Sequence, residues 1–342
     1  MHSLSLAIII AAASPQADAK DSHVKRPIVI AHRGASGYLP EHTLPAKAMA
    51  YAMGADYLEQ DVVLTKDRIP VVLHDVQLDE VTDVAARFPD RGREDGRYYA
   101  LDFTLSEIRT LRVHERSDPE TGAARTPSRF PVGKARFEIH TLAEEIEFVQ
   151  GLNHSTGRNV GIYPEIKSPR WHRDQGYDIS PIVLDALADY GYSSADDRVF
   201  VQCFDADETR RLREELGTKL PLVQLIAGPP RRDGETDRHA ELVTEAGLAR
   251  IAEYAQGIGP ALNRIVTGVD GEGQPEFSEL VAAAHRHGLQ VHPYTFRADS
   301  VPDFAADFDG LMDVFVRRAG VDGLFTDFPD RTREFVDRPA GN

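Results

Sequence analysis

Residues 30–75 concentrate side chains that could carry out acid–base and metal chemistry. Two histidines, two carboxylates and an arginine lie there among short β-like runs: His32, Arg33, Glu59, Asp61 and His74. Histidine can serve as a general acid or base near neutral pH, and paired carboxylates can hold a divalent cation. An arginine offers a planar fork for phosphate oxygens. The combination predicts a metal ion, an acid–base pair and an anionic substrate.

Glu59 and Asp61 are two residues apart on a predicted strand, so both side chains point to one face. Burying two carboxylates together is costly unless a cation neutralises them; a plain ion-pair network is the alternative. Glu165 and Lys167 repeat this spacing on the next core strand. Glu165 would be a third oxygen ligand, and Lys167 either a phosphate-binding cation or a salt-bridge partner of these acids. Three oxygen ligands favour Ca²⁺ or Mg²⁺ over Zn²⁺.

The second histidine must reach this site through a hairpin. The run 70–74 follows Asp61 too closely for a parallel crossover, so it should return antiparallel to the strand that carries Asp61. A two-residue loop at 67–68 would place His74 directly opposite Asp61. His32 ends the first predicted strand, and taken alone such a histidine is more often structural. Together the two histidines would supply a general base and a general acid.

Four further residues near predicted strand ends are candidates for lining a pocket, although core packing is their default interpretation. They are Gln202, Phe204, Tyr294 and Phe296. Cys203, the single cysteine, lies in an apolar run and is predicted to be a buried, inert thiol. The histidines without ligand spacing tied to the site are interpreted as structural: His42, His140, His154, His172, His285, His287 and His292.

Short β-rich runs alternate with helical patterns along most of the chain, which is typical of a parallel sheet with crossover helices. Core strands are predicted near 28–31, 57–63, 160–166, 199–204, 222–226, 262–266, 289–295 and 322–326. Helices are predicted near 44–53, 141–152, 181–190, 206–216, 243–255, 277–287 and 302–317. Eight such strands favour an α/β fold of the (β/α)8 (TIM) barrel type over an open doubly wound sheet. Residues 76–137 break the repeat and are predicted to be a small insertion after the second barrel strand, at the active-site face.

The composition is that of a globular protein with one large core. The 342 residues include 55 acidic and 39 basic side chains, for a formal net charge of -16, which argues against nucleic acid or an anionic membrane surface as main partner. Residues 1–19 have an apolar centre and end in Ala17-Asp18-Ala19, the pattern of a secretory signal cleaved before Lys20. We therefore expect a periplasmic or secreted protein, residues 20–342 forming one domain. No other segment approaches the length of a membrane span, and no oligomeric state is indicated.

In these residues the sequence resembles the glycerophosphodiester phosphodiesterases, in particular their bacterial periplasmic branch. The similarity covers nearly all of the chain after residue 19. The motifs that carry it are HRGASGYLPEHT, YLEQDV, VVLHD, GIYPEIK, VQCFDADE, VHPYT and GLFTDFPD. Much of the wider family has asparagine where this chain has His42, and residues 227–270 match least well.

The resemblance implies an α/β barrel, a bound Ca²⁺ or Mg²⁺, and hydrolysis of deacylated phospholipids to sn-glycerol 3-phosphate and an alcohol. It implies that His32 and His74 are the acid–base pair and that Arg33 and Lys167 contact phosphate. The metal ligands that it implies are Glu59, Asp61 and Glu165. It also suggests that the substrate's own glycerol 2-hydroxyl is the nucleophile, so that a cyclic phosphate forms first and water opens it later.

Two other functions are compatible with the same barrel. An exported binding protein without turnover should lack one of the site residues, and none is missing. A lysophospholipase D-type enzyme should carry an apolar membrane-docking loop, whereas residues 76–137 are strongly polar. Both are therefore less favoured than the diesterase.

Overall fold

The computed structural model describes residues 26–230, 232 and 235–339, and the predicted signal segment 1–19 lies outside them. Within these residues, eight parallel strands follow one another around a ring. In ring order they are β10 (Gln290–Val291), β7 (Gly257–Pro260), β6 (Leu222–Ile226), β5 (Val201–Cys203), β4 (Gly161–Ile166), β2 (Tyr57–Leu64), β1 (Ile28–Ala31) and β11 (Gly323–Thr326). The predicted (β/α)8 barrel is confirmed.

Backbone hydrogen bonds between the segment after β10 and strand β11 close the ring. Phe325 N donates to Pro293 O at 3.1 Å, and Phe296 N donates to Phe325 O at 2.8 Å. Aromatic side chains fill the interior: the ring of Tyr163 on β4 lies 5.0 Å from that of Phe325 on β11, although these strands are not neighbours. The interior is thus a packed core that supports a site at one end.

The helices pack their apolar faces on the outside of this ring. They are α1 (Leu44–Ala52), α2 (Val84–Arg87), α3 (Leu105–Ile108), α4 (Leu142–Thr156), α5 (Pro169–Asp174), α6 (Ile179–Asp189), α7 (Ala206–Glu214), α8 (Glu245–Tyr254), α9 (Leu262–Ile265), α10 (Leu280–Arg286), α11 (Phe308–Met312) and α12 (Pro329–Asp337). The predicted helix 302–317 is α11 followed by a π-helix over Asp313–Ala319, so its start was placed too early. None of the helices within the described residues is long and apolar enough to cross a membrane.

The predicted hairpin exists, but its register differs by one residue. Strand β3 (Pro70–Val72) pairs antiparallel with β2, with Leu64 opposite Pro70 and Val62 opposite Val72. The same register places Leu73, rather than His74, opposite Asp61, and Leu73 N donates to Asp61 O at 2.8 Å. The turn contains three residues, not two, because Arg68 adopts a left-handed conformation with φ of 63° and closes the loop on Thr65.

The sixth core strand is β7 at Gly257–Pro260, so the prediction of a strand at 262–266 was wrong. Residues Leu262–Ile265 instead form the short helix α9. A Cβ atom on Gly257 would lie 2.9 Å from Gln290 O, and one on Gly259 would lie 2.6 Å from the Leu225 side chain. Close packing therefore selects glycine in a strand, and glycine-rich runs lack the β-branched pattern on which strand prediction depends. A small antiparallel hairpin follows, formed by β8 (Val266–Val269) and β9 (Pro275–Phe277).

Residues 76–137 contain α2, α3 and the short 3₁₀ helices Pro89–Arg91 and Ala100–Asp102. Their buried apolar side chains form a cluster with Val63, Val71 and Leu73 of the hairpin. The segment thus has a small core of its own, which is built onto the β2–β3 hairpin beside the end of the barrel that carries His74. Its treatment as an insertion in a single domain stays a prediction.

Candidate active site

The predicted site residues come together around one cavity of about 360 Å³ at the carboxyl ends of the barrel strands. Its wall includes the predicted histidines, acids and cations: His32, Arg33, Glu59, Asp61, His74, Glu165 and Lys167. The carboxyl ends of barrel strands are where this fold places its catalytic groups. The chain therefore brings all seven into one space, despite the one-residue shift of the hairpin.

The three carboxylates lie on adjacent strands, since Asp61 on β2 is in register with Glu165 on β4. All three are buried, and Asp61 Oδ1 has no hydrogen-bond partner among the described residues. Burial and the charge of Asp61 raise the pKa of Glu59 well above its usual value, and burial raises the pKa of Glu165 to about 8. Lys167 and the two nearby histidines hold the pKa of Asp61 well below its usual range against the effect of burial. The cationic side chains of the protein thus do not fully neutralise this acidic cluster, as expected of a cation site.

His42, interpreted from the sequence as structural, contacts the carboxylate cluster. It lies in the β1–α1 loop, and its Nε2 is 2.8 Å from Asp61 Oδ2. Ligand atoms of His42, Glu59 and Asp61 all lie within 4.8 Å of one another, close enough to share a metal ion. Burial lowers the pKa of His42 to about 3, so its imidazole is neutral. The sequence signal for it was its position in PEHT, close after the glycine-rich loop that follows β1.

The two predicted phosphate-binding cations flank the carboxylates. Lys167 Nζ lies 2.8 Å from Glu165 Oε1 and 3.5 Å from Asp61 Oδ1, so the salt bridge considered from the sequence is present. Arg33 Nε lies 3.5 Å from Asp61 Oδ2, and Arg33 Nη1 donates to Glu41 at 2.9 Å. The Arg33 backbone is held in a left-handed conformation with φ of 58°, and its N–H donates to Glu59 Oε2 at 2.6 Å. This strained turn aims the guanidinium at the cavity.

Both predicted catalytic histidines are oriented by an aspartate. His32 Nδ1 lies 2.6 Å from Asp327 Oδ1, and His74 Nδ1 lies 2.7 Å from Asp75 Oδ1. Burial, with the nearby Arg33 guanidinium, lowers the pKa of His32 to about 4 and also lowers the pKa of His74. Both imidazoles are therefore neutral at pH 7. Each donates its Nδ1–H to a carboxylate, which leaves Nε2 available to the cavity.

Sequence reasoning missed the groups behind these histidines. Asp327 is the partner of His32, and its other oxygen, Oδ2, accepts from Arg129 at 2.6 Å and from Arg297 at 2.8 Å. His32, together with these two guanidiniums, holds the pKa of the Asp327 carboxyl far below its usual range against the effect of burial. The only sequence signal was the position of Asp327 in the motif GLFTDFPD, directly after a core strand.

Apolar side chains also line the cavity. Phe204 and Tyr294 are among them, with their rings in edge-to-face contact at 5.8 Å, and so are Leu225 and Leu262. Gln202 also lines the cavity, and its buried Oε1 has no hydrogen-bond partner in the described part of the chain. Three of the four pocket candidates are therefore at the cavity.

The fourth pocket candidate, Phe296, and the single cysteine, Cys203, are both core residues. Phe296 is fully buried and packs against Phe315, so it is a core residue and not part of the cavity wall. Cys203 is fully buried, as predicted, and burial raises the pKa of its thiol.

Comparison with known sequences gives the same assignment along nearly the whole chain. The Glycerophosphoryl diester phosphodiesterase family matches residues 32–331. A protein of Haemophilus influenzae named glycerophosphodiester phosphodiesterase is 44% identical over 327 residues, which cover 90% of this chain and 89% of that protein. A Treponema pallidum protein of the same name is 38% identical over 330 residues, covering 92% of each chain.

Solved structures agree in fold. A protein from Silicibacter pomeroyi superposes with a TM-score of 0.67 at 26% identity, covering 92% of this chain and 94% of that one. The Oleispira antarctica phosphodiesterase, solved in complex with the product sn-glycerol-3-phosphate, superposes with a TM-score of 0.61 at 20% identity. That match covers 91% of this chain and 97% of the other.

Proposed function

This chain belongs to the glycerophosphoryl diester phosphodiesterase family and is a glycerophosphodiester phosphodiesterase, and we propose that it uses one divalent cation and two histidines to release sn-glycerol 3-phosphate and an alcohol. One observation carries the proposal. Two neutral imidazoles, each oriented by an aspartate, face the same cavity as three buried carboxylates and two cationic side chains. The product bound to the Oleispira antarctica relative supports the choice of glycerol 3-phosphate as the product here.

The side chains of the cavity fit a hard divalent cation. Glu59, Asp61 and Glu165 would hold it through carboxylate oxygens, the ligands that Ca²⁺ and Mg²⁺ prefer, and Ca²⁺ is favoured. The raised pKa values of Glu59 and Glu165 both indicate that the cluster needs additional positive charge. When bound, the cation would neutralise charge on the non-bridging phosphate oxygens. Arg33 and Lys167 would bind the same phosphate from the two sides of the carboxylate cluster.

His32 is proposed as the general base. Its Nδ1–H is committed to Asp327, so the lone pair on Nε2 is free to take the proton of the attacking hydroxyl. That hydroxyl would be the glycerol 2-hydroxyl of the substrate, whose oxygen attacks phosphorus and forms a cyclic phosphate. A pKa of about 4 keeps His32 in the neutral form that this step needs at pH 7.

His74 is proposed as the general acid that protonates the leaving alkoxide. In the free protein burial and the cations Arg33 and Lys167 lower its pKa. A bound phosphodiester brings a negative charge among those two cations and so opposes their effect, which raises the pKa of His74 and favours the imidazolium. In the second half of the reaction the roles reverse, because water must lose a proton as it opens the cyclic phosphate.

The test uses two substrates. The purified protein is incubated with glycerophosphocholine and, separately, with an aliphatic phosphodiester that lacks glycerol. We expect sn-glycerol 3-phosphate from the first and no hydrolysis of the second, because the second has no 2-hydroxyl to attack phosphorus. Equal turnover of both would contradict the proposed nucleophile, and release of choline phosphate in place of glycerol 3-phosphate would contradict the proposed bond cleavage.

We also propose export to the periplasm or the medium. The support is the apolar run 4–13 followed by Ala17-Asp18-Ala19. Amino-terminal sequencing of the protein isolated from a cell envelope or culture fraction should begin at Lys20. A cytoplasmic protein that retains Met1 would contradict export.

A further inference from the structure

Each aspartate that orients a histidine is itself held by an arginine from the segment 76–137. Arg116 donates to Asp75, the partner of His74, and Arg129 donates to Asp327, the partner of His32. We propose that this segment positions both histidines, with Arg116 and Arg129 as its positioning residues. The inference rests on the proposed function, since it assigns a role in the same reaction.

Arg116 uses every guanidinium nitrogen. Nη1 donates to Asp75 Oδ2 at 2.6 Å and to Glu80 Oε2 at 2.9 Å. Nη2 and Nε donate to the two oxygens of Glu41 at 2.6 and 3.2 Å. The side chain is only 19% exposed. A planar fork that binds Glu41 together with Asp75 and Glu80 fixes the relative positions of these carboxylates, which a lysine point charge cannot do.

Two of these carboxylates contact side chains that line the cavity. Asp75 Oδ1 accepts from His74, and Asp75 Oδ2 accepts from Arg116. Glu41 accepts from Arg116 and also from Arg33, one of the proposed phosphate-binding cations. Arg116 itself is absent from the described wall of the cavity, so it acts through these neighbours and touches no reacting atom. Its removal should therefore loosen His74 and Arg33 together.

The two arginines should not contribute equally. Asp327 Oδ2 accepts from Arg297 as well as Arg129, so loss of Arg129 leaves one guanidinium in place. Among the described residues, Asp75 Oδ2 has Arg116 alone as its hydrogen-bond donor. We expect Arg116→Met to lower kcat by about 10–100-fold, the usual effect of removing a group that orients an active-site residue. The loss of kcat in Arg129→Met should be several-fold smaller than the loss in Arg116→Met.

A double-mutant cycle separates positioning from general stabilisation. Asp75→Asn breaks the same connection to His74, so the loss of kcat in Arg116→Met/Asp75→Asn should be smaller than the product of the two single losses. Arg125→Met is the matched control: Arg125 lies in the same segment and contacts Glu80 and Asp118, at 4.0 and 3.3 Å, but neither Asp75 nor Glu41. It should keep kcat/KM within about fivefold of wild type, since an exposed ion pair is worth at most about 1 kcal/mol.

Hydrolysis of glycerophosphocholine is measured for all variants, with folding checked by circular dichroism and thermal melting. Folded Arg116→Met with wild-type kcat, or multiplicative losses in the double variant, would overturn the inference while leaving the proposed function intact. If Arg116→Met does not fold, Arg116→Lys replaces it in the cycle under the same two criteria. A wild-type protein that does not hydrolyse glycerophosphocholine overturns the proposed function and this inference with it.

Discussion

Replacing Asp327 with asparagine changes one atom and should disable His32. In the native site Asp327 Oδ1 accepts from His32 Nδ1 at 2.6 Å, while Oδ2 accepts from Arg129 and Arg297. Asparagine has a single carbonyl oxygen, which can face either His32 or the two arginines. If the amide N–H₂ faced the arginines, its donors would point at charged donors, so the oxygen must stay on the arginine side.

The amide nitrogen then faces His32 and cannot accept a hydrogen bond. Nδ1 must become the acceptor, and the proton moves to Nε2, the nitrogen that should act as base. Two charge-assisted hydrogen bonds of about 1.5–3 kcal/mol each hold the amide in this orientation, against one bond to a neutral imidazole. Asp327→Asn should therefore cost nearly the whole contribution of the base, about 10²–10⁴-fold in kcat.

The assay is release of sn-glycerol 3-phosphate from glycerophosphocholine at saturating substrate and metal. His32→Ala should fall in the same range, and His32→Ala/Asp327→Asn should be no slower than His32→Ala. Asp309→Asn is the control, because Asp309 lies in an exposed ion pair with Arg338 and does not touch a histidine. It should stay within about fivefold of wild type. A folded Asp327→Asn variant with wild-type kcat would refute the assignment of His32 as base.

Three further outcomes are expected. His74→Ala should lower kcat on glycerophosphocholine by about 10²–10⁴-fold but lose far less on a p-nitrophenyl diester of glycerol, whose leaving group needs no proton; equal losses on both would contradict the acid role. Anomalous scattering from Mn²⁺ in crystals should show one ion bound by carboxylate oxygens that include Glu165; an ion bound by His42 with Glu165 distant would contradict the ligand set. Glu115→Gln should raise the free energy of unfolding at pH 8 by up to about 3 kcal/mol and change it little near pH 4. Burial raises the pKa of Glu115 to about 7. The stabilisation that the Glu115 carboxyl contributes is therefore complete below its unfolded pKa and is lost as pH rises through 7. Urea titrations at both pH values measure the difference in the free energy of unfolding.

Residues that are neighbours in sequence or on one strand could be predicted well. The i, i+2 spacing placed Glu59 and Asp61 on one face, and alternation of strands and helices placed Glu165 on the adjacent strand. The structure shows that Glu165 is in register with Asp61. Histidine, arginine and carboxylate chemistry then indicated the cation site. These inferences depend on the period of a strand and the topology of a parallel barrel, which are local or general properties.

Partners brought together by tertiary structure could not be predicted. Asp327 is 295 residues from His32, and nothing in the sequence spacing relates them. Arg116 reaches Asp75 only through the fold of residues 76–137, which follow no repeat. The hairpin register depends on the left-handed conformation of Arg68, which could not be predicted from the amino-acid composition of the turn. A shift of one residue was harmless here because His74 lies beyond the last ladder pair and reaches the cavity from the loop.

The most direct test is a Ca²⁺ titration of metal-free protein with glycerophosphocholine as substrate. We predict no release of sn-glycerol 3-phosphate after EDTA treatment and dialysis, and recovery of full turnover at one bound Ca²⁺ per chain. Undiminished turnover in excess EDTA, with no metal detected in the protein, would contradict a cation held by the carboxylates of β2 and β4.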